Sequence, residues 1–369
     1  MTEAKRSRMQ KPQISRKLVA GLPIVVLVVS WLLGAALGAG VDRALGIAGV
    51  LFGIAALLLS VARERDAPVK RVVFLGNGDP VFNSNVLDGL REEISTALPF
   101  ELTSHSPGIG EQDMAGWQVD HLQSVDVMTA DAVVVLPCAD DARIWRSVAN
   151  VTKNGATAVV VDVEPPREFF FGEQLRPPPF VASDFLAGGR LAGGLLARRM
   201  HEETAIRAVV ALGPDQSGPG VGRSSQVLYE VARQGLLDRV SAAQLPSWDP
   251  AAASQTLIAA IAEILGNPQS RVVVFCGDDR ILMATHRACT SKSQWAGRVQ
   301  LVGYDGTQAS DGRLIAADHE WCLGTVDTRP RAQGRTAGRI LVGAYQRKAR
   351  GDSEYQVVAP VLLTSDTWI

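Results

Sequence analysis

The 369-residue chain is poor in aromatics, at 6%, and carries almost no net charge, formally −1. Acids and bases are interspersed after residue 70, so no basic face is offered to a phosphate backbone and nucleic acid is not an expected partner. Cysteine is scarce: Cys138, Cys276, Cys289 and Cys322, none in a CxxC pair and none resembling a zinc knuckle. Cys138 and Cys276 each end an apolar run, which suggests buried thiols. A disulfide stays open as well, so cysteine usage does not decide the compartment.

Catalytic signatures are missing too. Gly213-Pro214-Asp215-Gln216-Ser217-Gly218 has the glycine spacing of a phosphate loop, but Pro219 and Gly220 stand where Lys and Ser/Thr are needed. Gly76-Asn77-Gly78-Asp79 lacks the full GxGxxG spacing of a dinucleotide site. The five histidines are scattered without metal-ligand spacing, and no GxSxG elbow or nucleophile–base pair is present. The expectation is a protein that is not an enzyme and needs no cofactor or metal.

Long apolar runs, by contrast, mark the start of the chain. Residues 18–40 and 44–62 carry no charge, and only Val41, Asp42 and Arg43 separate them. Each stretch is long enough to cross a hydrocarbon core of about 30 Å as a helix. They predict a transmembrane hairpin over 18–63, behind a basic tail over 1–17. Lys5, Arg6, Arg8, Lys11, Arg16 and Lys17 precede the hairpin, and Arg63, Arg65, Lys70 and Arg71 follow it. The positive-inside rule then puts both flanks, and the large domain, in the cytoplasm of a multi-pass membrane protein. The competing possibilities are a signal sequence at the first span, or a single crossing with the domain outside.

Beyond residue 70, about 300 residues remain, enough for one large domain or two lobes. Short β-branched runs alternate with amphipathic stretches. Strands are expected at 71–76, 132–137, 156–163, 180–184, 208–212, 271–277 and 299–306. Helices are expected near 84–97, 140–154, 186–200, 223–235, 251–266 and 279–289. This alternation predicts parallel sheets with right-handed crossovers, whose ligands sit at the carboxyl ends of the strands. Polar residues and occasional aromatics recur there: Asp79, Phe82, Asp141, Arg223, Trp248, Asp278 and Asp305. Any one of them can be a helix cap or turn residue. As a set they suit sugars and polyols, whose hydroxyls need planar polar groups and whose C–H faces need aromatic rings.

Six segments in order resemble the type I periplasmic binding proteins, chiefly the ribose-binding group, and the related effector domains of the lac repressor family. They are VVFLGNGDPVFNSNVLDGL, AVVVLPCADDARIWRSVANVTKNGATAVVVD, FVASDFLAGGRLAGGLLA, VVVFCGDDRILMAT, LVGYDGT and DGRLIAADHEWCLGTVDTRPRAQGRTAGRIL. The resemblance runs from about Arg71 to the C-terminus. It implies two Rossmann-like lobes crossed three times by the chain: 70–182 plus 329–350, and 183–327 plus 351–369. It also implies ligand contacts at Asp79, Phe82, Asp140 or Asp141, Arg223, Trp248, Asp278, Asp305 and Thr328. Val81 stands where the family has a stacking Phe, and Asp278 and Thr328 stand where it has amides. Three carboxylates, Asp79, Asp278 and Asp305, would then face one Arg, which raises carboxylate pKa values or invites a cation.

The expected function follows: a membrane-anchored sensor that closes on a small carbohydrate or polyol-like ligand, amine-bearing ones included, and signals to a membrane protein partner. Two alternatives stand beside it. One is a substrate-binding protein serving an ABC transporter from outside the membrane. The other is a ligand-less descendant that uses the fold only for protein contacts.

Overall fold

The computed structural model describes residues 53, 69–97, 99–108, 111–214, 218–307, 321–346 and 355–364. The expected basic tail and both expected spans lie outside these residues, apart from helical Gly53. Among the described residues no helix is long and apolar enough to cross a membrane. The chain divides into two compact units, Met1–Val69 and Lys70–Ile369, and the second unit holds two α/β lobes.

In chain order the first lobe comprises β1 (Lys70–Leu75), α1 (Pro80–Ser95), β2 (Phe100–His105), α2 (Met114–Leu122), α3 (Val125–Met128), β3 (Ala132–Val135), α4 (Ala142–Lys153), β4 (Thr157–Val161), α5 (Arg167–Gly172) and β5 (Phe180–Ser183). The second continues with α6 (Phe185–Glu202), β6 (Ile206–Leu212), α7 (Gly218–Arg233), β7 (Val240–Gln244), α8 (Pro250–Leu265), β8 (Arg271–Phe275), α9 (Asp279–Thr290), β9 (Val299–Asp305) and β10 (Cys322–Asp327). The chain then forms α10 (Pro330–Tyr345), β11 (Tyr355–Val358) and β12 (Val361–Leu363).

The first sheet runs β11-β5-β4-β3-β1-β2 and is parallel throughout. The second runs β12-β10-β9-β8-β6-β7, with only β12 antiparallel. The chain therefore changes lobe three times: after β5, after β10, and between β11 and β12. The end of the chain corrects the expected division. Residues 351–369 do not all belong to the second lobe, because Tyr355–Val358 pairs with β5 in the first sheet. Among the described residues of this stretch, β12 joins the second sheet.

Side-chain alternation explains how each sheet lies between helices. Along β1, Val72 and Phe74 enter a core with Val86, Leu90, Ala337 and Leu341 of α1 and α10. Val73 and Leu75 face the other way, onto Ile144, Trp145 and Val148 of α4. The second sheet is packed on both faces in the same fashion. Burial on both faces is why these strands read as unbroken apolar runs. It also leaves the loops at the strand ends as the place for polar chemistry.

Candidate functional site

Six helices among the described residues begin on an aspartate whose carboxylate accepts a first-turn N–H: Asp79, Asp113, Asp141, Asp184, Asp249 and Asp278. Each such cap stabilises its helix by about 1 kcal/mol. Two of them, Asp79 and Asp278, also share one guanidinium. Asp79 Oδ1 accepts from the N–H groups of Val81 and Phe82 at 2.9 and 3.0 Å, leaving Oδ2 3.3 Å from Arg280 Nη1. Arg280 begins α9 in the other lobe, and its Nη2 donates to Asp278 Oδ2 at 2.7 Å. One guanidinium thus joins a carboxylate of each lobe, and the carboxyl ends of the two sheets face one another.

Arg223 of α7 is the second cation. It is 9% exposed. Its Nη1 donates to the Gly277 carbonyl at 3.0 Å, and its Nη2 lies 3.2 Å from Asp305 Oδ1. The rings of Tyr304, Phe185 and Trp248 surround it, with centroids 4.3, 5.3 and 5.9 Å from Cζ. Gly213 is required here, because a Cβ would lie 2.9 Å from the Trp248 ring. Among the described residues, Nε of Arg223 is buried and has no hydrogen-bond partner. A buried donor left unsatisfied costs about 1–3 kcal/mol.

Two carboxylates sit on strained backbone at strand ends. Asp162 follows β4 with φ 78°, and Asp305 closes β9 with φ 96°. Both are in the left-handed half of φ space, which non-glycine residues rarely adopt and which recurs at functional sites. Burial pushes the Asp162 carboxyl above the ordinary range, with Arg223 pulling it down and Asp79 adding to the rise. Burial pushes Asp305 up to about 7 against the pull of Arg223, with Asp278 and Asp162 adding to it. Thr328 Oγ1 lies 3.5 Å from the Asp305 carbonyl, and fully buried Asp279 holds the next residues by accepting from the N–H of Thr307 at 2.7 Å. Among the described residues no three His, Cys, Asp or Glu side chains converge to hold a metal ion.

No family model matches the chain, and no curated protein matches its sequence. Solved structures do resemble it. An ABC-transporter periplasmic solute-binding protein of Actinobacillus succinogenes 130z, with bound D-allose, is 18% identical at TM-score 0.67, over 81% of this chain and 99% of that one. A myo-inositol-binding protein of Caulobacter, bound to myo-inositol, is 20% identical at TM-score 0.59, over 81% and 94%. A LacI transcriptional regulator of a Rhodococcus species is 16% identical at TM-score 0.58, over 80% and 97%. The fold is that of the periplasmic sugar-binding proteins.

Within this periplasmic-binding fold the predicted site residues part company. Asp79, Arg223, Asp278, Asp305 and Trp248 gather around the two arginines. Phe82 is partly buried against the core of its own lobe. Thr328 is buried at the second crossing and turns its hydroxyl to the Asp305 backbone. Asp140 and Asp141 have local duties: Asp140 accepts from Trp145 Nε1 at 2.7 Å, and Asp141 caps α4 and pairs with Arg143. Asp162, not either of these, is the first-lobe acid whose charge acts on both Arg223 and Asp305. Asp162, Arg280, Phe185 and Tyr304 were not singled out from sequence. Asp162 alone left a trace, as the Asp that ends VVVD.

Asp305 gives a pH signature. An unfolded Asp titrates near 3.9, so a folded value of about 7 favours the folded state most below pH ~4. That contribution is lost as pH rises through 7. Asp305→Asn has no such carboxyl to ionise, so its melting temperature relative to wild type is expected to climb between pH 4 and 7. A difference that stays flat would show that Asp305 titrates normally.

Proposed function

We propose that this chain is a binding protein, not an enzyme, and that its lobes close on a small polyhydroxylated ligand held between the strand ends. Arg223 carries the proposal: a buried guanidinium, ringed by Phe185, Trp248 and Tyr304, with one donor on Asp305 and Nε awaiting an acceptor. A sugar or cyclitol supplies what this site lacks, a hydroxyl oxygen for Nε, hydroxyl donors for Asp162 and Asp305, and C–H faces for the rings. The D-allose and myo-inositol held by the similar structures are of this class. Closure is a population shift, driven by a ligand that touches both lobes at once.

The uncharged stretches 18–40 and 44–62 would hold the domain at a membrane, with the basic flanks favouring the cytoplasmic side and a signalling role. The similarity to an ABC-transporter solute-binding protein favours a second possibility, delivery to a transporter from outside. A C-terminal alkaline phosphatase fusion separates them, since the enzyme is active only outside the cytoplasm.

Binding is tested by melting the full chain in detergent against sugars and cyclitols. Ligand at 100 times its dissociation constant stabilises the folded state by about 2.7 kcal/mol, a rise of several degrees. No shift with any of them would leave the fold as a scaffold for protein contacts.

A further inference from the structure

Six charged side chains share the site. Asp79 and Asp162 come from the first lobe, and Asp278, Asp305, Arg223 and Arg280 from the second. Arg280 serves both Asp79, at 3.3 Å, and Asp278, at 2.7 Å. Arg223 serves Asp305 at 3.2 Å. Among the described residues no basic side chain forms an ion pair with Asp162. With every group charged, two carboxylates are in surplus.

Excess negative charge in a poorly solvated place must be relieved by protonation or by a cation. The protein itself does the first in part. The Asp162 and Asp305 carboxyls are both pushed up, Asp162 facing Arg223 and Asp79, and Asp305 facing Arg223, Asp278, Asp162 and Arg280. A metal ion is a poor second remedy, because no three acids converge on one point among the described residues. An acidic cluster alone does not make a site. The buried Nε of Arg223 adds an independent demand, because it requires an oxygen acceptor beside the same carboxylates. One molecule meets both needs if it carries hydroxyls and an ammonium group together.

We propose that the cleft selects a polyhydroxylated ligand bearing a protonated amine, an amino sugar or aminocyclitol, whose ammonium group pairs with Asp162 while a hydroxyl oxygen accepts from Arg223. This rests on the binding function proposed above and names its ligand class. Arg280 bridges Asp79 and Asp278, and Arg223 pairs with Asp305, so Asp162 is the carboxylate left without an ion-pair partner among the described residues. Neutral sugars meet the same rings and the same Arg223, but they leave the surplus charge where it is.

The test uses matched probes on the full chain in detergent: D-glucosamine against D-glucose and N-acetyl-D-glucosamine, and an inosamine against myo-inositol. Calorimetry at pH 7 is expected to give the amine of one pair at least a tenfold advantage over its neutral partners. That advantage should shrink toward pH 5, as the carboxyls protonate. Asp162→Asn is expected to cost the amines more affinity than their neutral partners and so to erase the preference. A neutral probe binding as tightly as its amine at pH 7 would overturn this inference and leave the binding function standing. If none of the probes binds, both fail together. The wild-type preference decides the matter even if Asp162→Asn does not fold.

Discussion

Arg223→Ala is expected to remove ligand binding, by a factor of a hundred or more. The side chain holds Asp305 at 3.2 Å and the Gly277 carbonyl at 3.0 Å, and it fills the space between three rings. Truncation leaves Asp305 without its cation, and removing one partner of a buried pair costs about 3–5 kcal/mol. Part of that loss appears as stability and part as affinity. Two kinds of measurement separate them, melting of the free protein and calorimetry with whichever probe binds wild type. Arg223→Lys keeps the charge but not the planar fork, so it is expected to recover the melting temperature better than the affinity. Unchanged affinity in Arg223→Ala would defeat the site assignment.

The parts of the fold that were readable in the sequence are those buried on two faces. β3 and β4, AVVV and TAVVV, have apolar neighbours on both sides and so appear as continuous β-branched runs. β2 and β7 were not foreseen. They are the outer strands of their sheets, and every residue of FELTSH and VSAAQ but Ala243 is half-buried or exposed, so polar residues interrupt them. The division of the last residues between two sheets was also hidden. Tyr355–Val358 and Val361–Leu363 are two short strands separated by two residues, and nothing local says that they pair with different lobes.

The site was legible only where chemistry and strand ends coincide. Asp at a strand end is a poor discriminator, because the same residue caps the helix that follows. Asp140 and Asp141 satisfy the pattern and are consumed by Trp145, Arg143 and the α4 cap. Asp162 escaped notice for the converse reason: no helix starts directly after it, so it lacks the cap context, and its φ of 78° is a three-dimensional fact. Arg280 sits beside Asp278 in sequence, yet its meaning lies in Asp79, about 200 residues away and in the other lobe. Contacts between lobes of this kind are set by the crossings, not by any local pattern.

The second crossing leads into a close helix pair of the first lobe, and Gly334→Ala is expected to break it. α10 follows the second crossing and packs across α1, with Gly89 and Gly334 at the contact. A Cβ on Gly334 would collide with the Val86 carbonyl oxygen, and one on Gly89 with that of Arg331. The obstacle is backbone in both cases, so no side chain can turn aside and the helices must separate. Separation opens the core formed by Phe74, Val86, Leu90, Ala337 and Leu341. Overpacking of this kind costs about 1–3 kcal/mol, and more where backbone must move. Gly343→Ala, in the same helix with nothing within 4 Å of its Cβ, is the matched control. It is expected to be neutral or to stabilise by up to about 1 kcal/mol, from helix propensity alone. Because α1 begins at the Asp79 cap, shifting it also moves Asp79 against Arg280. Gly334→Ala should therefore weaken ligand binding as well as lower the melting temperature, although the residue lies among the helices and not in the cleft. A variant that melts early but binds normally would mean that the interlobe geometry is set elsewhere than at this helix crossing.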